Sequence, residues 1–179
     1  MGRIRFTCIE PRCDRRHYVC EDDVQVVLSR LPEEVYRRLR GVHFDDRSWG
    51  VRRLGFTTIR GRRDVCLCAL PPRVSLTRFL VRGQKPETFG AKAGRQWPEL
   101  AVRRFMLYDV LLHEIGHLQI IHPQNSDFRR KFAAETKAQE FADHWRKELW
   151  RQSFEHPDPV HNAPTENELA EPQIFADER

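Results

Sequence analysis

Residues 113–117 read His-Glu-Ile-Gly-His, inside the segment "LAVRRFMLYDVLLHEIGHLQII". This pattern constrains the chain more than any other feature. Residues four apart share one helix face, so His113 and His117 present both imidazoles to one point only if the segment is helical. Two histidines and a glutamate in a largely apolar helix are costly to bury without partners. A metal ion answers that cost. In this arrangement His113 and His117 are candidate ligands for Zn2+, and Glu114 is placed to exchange protons with water beside it. Pro98 suits the start of the helix, and Pro123 stops it after about Ile121.

A catalytic zinc takes three protein ligands, so a third is sought among His122, Glu135, Glu140, Asp143 and His144. Ser126 or Asp127 can cap a second helix over about Phe128 to Trp150. Advancing about 100° per residue from Phe128 puts Phe132, Ala138, Ala142, Trp145 and Leu149 on one apolar stripe. Glu135 falls inside that stripe, whereas Glu140 falls on the opposite face with Lys137 and Lys147. A carboxylate within a buried stripe calls for a cation, which favours Glu135. His122 lies about 140° off the ligand face if the first helix continues to it.

"HEIGH" followed by "ETKAQEFA" (135–142) resembles the ImmA/IrrE-type metallopeptidases, whose pattern is H-E-x-x-H, then E-x-x-A-N-x-F-A. Glu135, Ala138, Phe141 and Ala142 match. Gln139 stands where the family has Asn, and where the wider gluzincin group often has a carboxylate. The resemblance covers 113–142, and the family's "LLMP" continuation is replaced by "DHWRKELW". It implies Glu135 as ligand, Gln139 as a hydrogen-bond partner of a ligand histidine, and a zinc-dependent peptidase acting on a protein or peptide. It further implies that an edge strand within 51–70 aligns a peptide beside the metal. Tyr108, Arg129 and His144 are named as oxyanion helpers without geometry to choose among them.

The expected fold is α+β: a minimal zincin-like domain over 1–151, with a small antiparallel or mixed sheet before the two ligand-bearing helices. "DDVQVVLSRL" and "PEEVYRRLRG" read as short helices, with Asp22 or Asp23 capping the first and Gly41 ending the second. "VHF", "VRRLGFTTI" and "DVCLCAL" read as strands, the last two joined through Gly61. "DVCLCAL" is apolar on both faces and belongs inside the sheet.

Cys8, Cys13, His17 and Cys20 offer a second, structural metal site near the N-terminus. Their spacing lacks the tight C-x-x-C of strong zinc motifs, and the plainer reading is free thiols on a small β segment. Five cysteines without an export signal fit a reducing, cytoplasmic setting. No apolar run is long enough to span a membrane.

The net charge of +5 is uneven: residues 152–179 carry seven acids and one base, which leaves 1–151 at +11. A non-catalytic zinc-binding regulator and a nucleic-acid-associated protein using the basic body are therefore the rival readings. No Lys/Arg run is interleaved with aromatics, so nucleic acid is not favoured. The Pro-containing tail is expected to be mostly extended or disordered, and its charge could draw it back across the body near the cleft.

Overall fold

The computed structural model describes residues 4–47, 53–58, 62–72, 76, 83–120 and 128–170. The fold is α+β. A four-stranded mixed sheet has the order β1-β2-β4-β3, formed by β1 (Arg5–Cys8), β2 (Gly41–Asp45), β3 (Gly55–Thr58) and β4 (Asp64–Cys68). β1, β2 and β4 run parallel, and β3 returns antiparallel along β4. The β1–β2 pair is parallel and so needs a crossover, which α1 (Glu21–Arg30) and α2 (Glu33–Tyr36) supply.

β4 lies inside the sheet, and all five of its residues are buried, as its two apolar faces require. Burial raises the thiol of Cys66 to about 11 and that of Cys68 to about 12. Both therefore stay protonated and act as packing residues. Among the described residues β3 is an edge strand. The turn residue Gly61 lies outside the described residues, and Arg63 holds the positive φ of 57° at this turn.

The central rod runs from Glu99 to Gln119 as α3 (Glu99–Phe105), a π-helical stretch (Met106–Leu111) and α4 (Leu112–Gln119). A single α-helix was expected, and the wide turn before the HEIGH motif is a departure of the kind that accompanies functional sites. Every residue from Leu107 to Leu112 is fully buried, because sheet, helices and C-terminal segment enclose the rod on all sides. The helix ends at Gln119, where Ile120 turns extended, three residues before Pro123. α5 (Phe128–Arg151) packs along the rod.

Three expectations of local structure are corrected. Cys20, not Asp22 or Asp23, is the N-cap of α1; Asp23 sits at N3, and its carboxylate accepts from the Cys20 backbone N–H at 3.0 Å. Gly41 opens β2 rather than closing a helix, since α2 is a single turn ending at Tyr36. The C-terminal segment is folded through Ala170. Its 3-10 turn Pro159–His161 buries Val160 and His161, and α6 (Glu166–Ala170) follows. Charge explains the docking: Asp158 pairs with Arg103 at 2.7 Å, and Glu168 with the fully buried Arg104. No helix among the described residues is long and apolar enough to cross a membrane.

Candidate metal centre

One close contact between helices sets the geometry. Gly116 lies against Ala138, and a Cβ at Gly116 would come within 3.1 Å of the Ala138 Cα and carbonyl. With no side chain between them at this level, α4 and α5 approach closely. Glu135 lies one turn before Ala138, and Gln139 directly follows it, so both reach the histidines of α4.

The three candidate ligands converge. His113 Nε2 lies 3.0 Å from His117 Nε2 and 3.2 Å from Glu135 Oε2, and His117 Nε2 lies 3.4 Å from Glu135 Oε1. Donors about 2.1 Å from a tetrahedral ion are about 3.4 Å apart. Two imidazoles and one carboxylate at these separations could hold a metal ion. Among the described residues, this is the group of three His, Cys, Asp or Glu side chains so placed. Hydrogen bonds to His113 and then His117 hold the Glu135 carboxyl well below the usual carboxylate range.

Glu135 reaches this position for a different reason from the one the stripe suggested. Its side chain is 61% exposed, and Phe132, on the same stripe, is 67% exposed. Along the described part of the helix, Ala134 and Ala138 are buried while Phe132 and Glu135 are exposed. Register, rather than burial, aims Glu135 at the histidines.

Behind His113 runs a relay that the sequence pattern discloses only in part. Gln139 Nε2 donates to Asp109 Oδ1 at 2.8 Å and to Asp143 Oδ1 at 3.2 Å. Two carboxylates fix which way the amide faces. Its Oε1 therefore faces His113 Nδ1, 3.2 Å away, and accepts that N–H. The lone pair of His113 is then left on Nε2, facing His117 and Glu135. Arg146, almost fully buried, closes the network on Asp109 at 3.2 Å and Asp143 at 2.8 Å. Asp109 was missed, although it lies four residues before His113 and so on the same helix side.

Glu114 turns toward the sheet. It is buried, and Thr57 Oγ1 of the edge strand donates to its Oε2 at 2.8 Å. Gly55 makes this possible, because a Cβ there would meet Val110 at 2.7 Å and Glu114 at 3.3 Å. Thr57 was not anticipated either; its position on a strand of uncertain register gave no signal.

The remaining candidates are placed elsewhere. Glu140 is exposed, Asp143 belongs to the relay, and His144 is an exposed residue against Trp145. His122 and the side chain of Arg129 lie outside the described residues. Tyr108 bonds Arg30 and His161, two partners on the C-terminal segment's side of the rod.

Cys8, Cys13, His17 and Cys20 are not gathered into a metal-binding group. They sit on a strand, in a turn, just after a bridge and at a helix cap. The three thiols are exposed, and His17 Nε2 bonds the Ile9 carbonyl at 2.9 Å. No regular element imposes a common direction on them, so short spacing in sequence does not bring them together.

Comparison of the chain with protein-family models, with curated proteins and with solved structures finds no match.

Proposed function

We propose that this protein is a zinc-dependent peptidase whose metal is held by His113, His117 and Glu135. The observation that carries the reading is the set of donor separations, 3.0, 3.2 and 3.4 Å, close to the edges of a tetrahedral zinc site. The donor chemistry agrees, since two imidazoles and a carboxylate form a ligand set of catalytic zinc that leaves a coordination position open. When bound, zinc supplies Lewis acidity, polarising a carbonyl and acidifying water.

The protein's own groups supply the rest. The Glu114 carboxylate takes a proton from the attacking water and returns it to the departing amine, so the peptide bond is exchanged for a carboxylate and an amine. Thr57 holds that carboxylate in one orientation. Among the described residues β3 is the last strand of the sheet, beside Glu114, and an extended peptide can add along it as a further strand. The exposed Phe132, one turn before Glu135, offers an apolar wall for a substrate side chain.

The test is metal analysis of the purified chain, followed by cleavage of a quenched-fluorescent peptide library. Glu114→Gln should keep its zinc and lose activity by about 10²–10⁴-fold. Turnover by Glu114→Gln at the wild-type rate would overturn the assigned base. Stoichiometric zinc retained without His113 and His117 would overturn the centre itself. Zinc held by the triad with no peptide cleaved would favour a non-catalytic metal-binding regulator instead.

A further inference from the structure

Because β1, β2 and β4 are parallel, their first residues lie side by side at one end of the sheet. The Arg5 N–H donates to the Arg40 carbonyl at 3.1 Å, and the Arg40 N–H to the Arg63 carbonyl at 3.0 Å. Arg40 and Arg63, each just before the first residue of its strand, are thereby held side by side at this end, and Arg5 stands opposite Gly41 on the next strand, about 4.8 Å away. Arg37, the C-cap residue of α2, and Arg62, just before Arg63, lie close to these along the chain. All five side chains are exposed.

Several arginines elsewhere meet a carboxylate, and Arg30 and Arg38 are taken up by backbone carbonyls. Arg12 pairs with Asp46, Arg16 with Glu99, Arg47 with Asp45, and Arg103 and Arg104 with Asp158 and Glu168. In this group, Asp64 is buried and engaged by His43 at 2.9 Å and Arg5 at 3.5 Å. Among the described residues, Arg37, Arg40, Arg62 and Arg63 have no ion-pair partner, and the nearby Glu33 and Glu34 form none with them. Arg63 also occupies a left-handed conformation, φ 57°, that Gly or Asn would adopt more easily.

We propose that this group binds the phosphate backbone of nucleic acid. A protein partner would call for an apolar centre to the surface. The exposed large apolar side chains among the described residues are Ile9, after the far end of β1, and Phe132, on α5. Neither belongs to the group. Unanswered guanidinium groups at one end of the sheet fit a polymer of closely spaced anionic charges. Contacts to phosphates carry no sequence information, so binding of this kind is sequence-independent and driven by counterion release. This surface is independent of the zinc site and stands or falls separately from it.

The test is fluorescence anisotropy of the full chain with a short labelled DNA duplex and a single strand of unrelated sequence, between about 50 and 200 mM salt. Arg40→Gln/Arg63→Gln should weaken binding, and each phosphate no longer neutralised should lower the salt slope by about 0.9 on the duplex. Lys137→Gln/Lys147→Gln removes the same charge from α5 and should leave binding close to wild type. Arg63→Gly separates binding from folding, because relief of the positive φ should preserve or raise stability while affinity falls. Equal weakening in the two double variants would overturn the proposal, leaving only diffuse attraction to a basic body. So would capture of polyglutamate with no binding of either nucleic acid, which would mark an acidic protein as the partner.

Discussion

Two groups of ligand-type side chains can be set side by side. His113, His117 and Glu135 are drawn from two helices and span 23 residues, yet their donor atoms lie within 4.8 Å of one another. Cys8, Cys13, His17 and Cys20 span only 13 residues and stay apart. The difference lies in the frame beneath them. A helix turns an i, i+4 spacing into a shared direction, and the Gly116–Ala138 contact brings a second helix within reach. A strand, a loop and a cap impose no common direction. Ligand spacing thus has meaning only when read against the element that carries it.

The sharpest way to break the comparison is to count metal. His113→Ala or His117→Ala should abolish stoichiometric zinc binding, the largest effect expected of any substitution here. Cys8→Ser/Cys20→Ser should leave the stoichiometry unchanged. Elemental analysis after dialysis reads both. A protein that carries a second zinc, lost with the cysteines, would show that the N-terminal group closes around an ion.

A smaller effect tests the relay behind His113. Gln139→Leu removes both the acceptor for His113 Nδ1–H and the donor to Asp109. Zinc affinity, measured by competition with a chromophoric chelator, should fall by about 10–100-fold. Gln139→Asn shortens the side chain and should recover part of that affinity, because the amide still presents an oxygen and an N–H₂. Unchanged affinity in Gln139→Leu would mean that helix packing alone orients the imidazole. The close approach of the two helices is tested by Gly116→Ala. The added methyl must displace Ala138 backbone or Phe141, at a cost of about 1–3 kcal/mol in unfolding free energy.

How much of this was legible depends on the range of the signal. The helical pair, the position of Glu135 and the interior β4 follow from periodicity within one element. Asp109, Arg146 and Thr57 are contributions that depend on which elements pack together. Arg146 looks like one of many surface arginines until α5 is laid on the rod, where it becomes the buried partner of Asp109. Thr57 acquires a role only once β3 is known to be an edge strand beside α4. The charge of the C-terminal segment does draw it onto the body, but its folding was missed because composition reports only the absence of an apolar core-forming pattern. It does not report that buried Arg104 and half-buried Arg103 already wait on the body for two carboxylates.

That segment gives a predicted effect confined to acid pH and a contrast with the metal centre. Around Asp23 each charge has its counter-charge within the protein: Arg103 lies 3.0 Å away and His161 3.6 Å away. Burial works to raise the Asp23 carboxyl, but bonds from His161 and the Cys20 N–H, with the charge of Arg103, outweigh it and lower the value to about 2. The folded value is below the unfolded one, so this stabilisation is present above about pH 4 and is lost as pH falls toward 2. At about 1.4 kcal/mol per unit, Asp23 contributes at most about 2 kcal/mol. Against the effect of burial, Asp158 is lowered too, by its bond to Arg103, and Glu168 by its bond to Arg104, so their contributions are likewise lost as the pH falls. Urea unfolding of the metal-free chain should therefore show wild type more stable than Asp23→Asn near neutrality, with the gap closing by about 2 kcal/mol or less between about pH 4 and 2. Glu135 titrates in both proteins and cancels in the difference. A gap that stays constant across this range would mean that Asp23 acts through packing and its cap to α1, and that its ion pairs contribute nothing to holding the C-terminal segment.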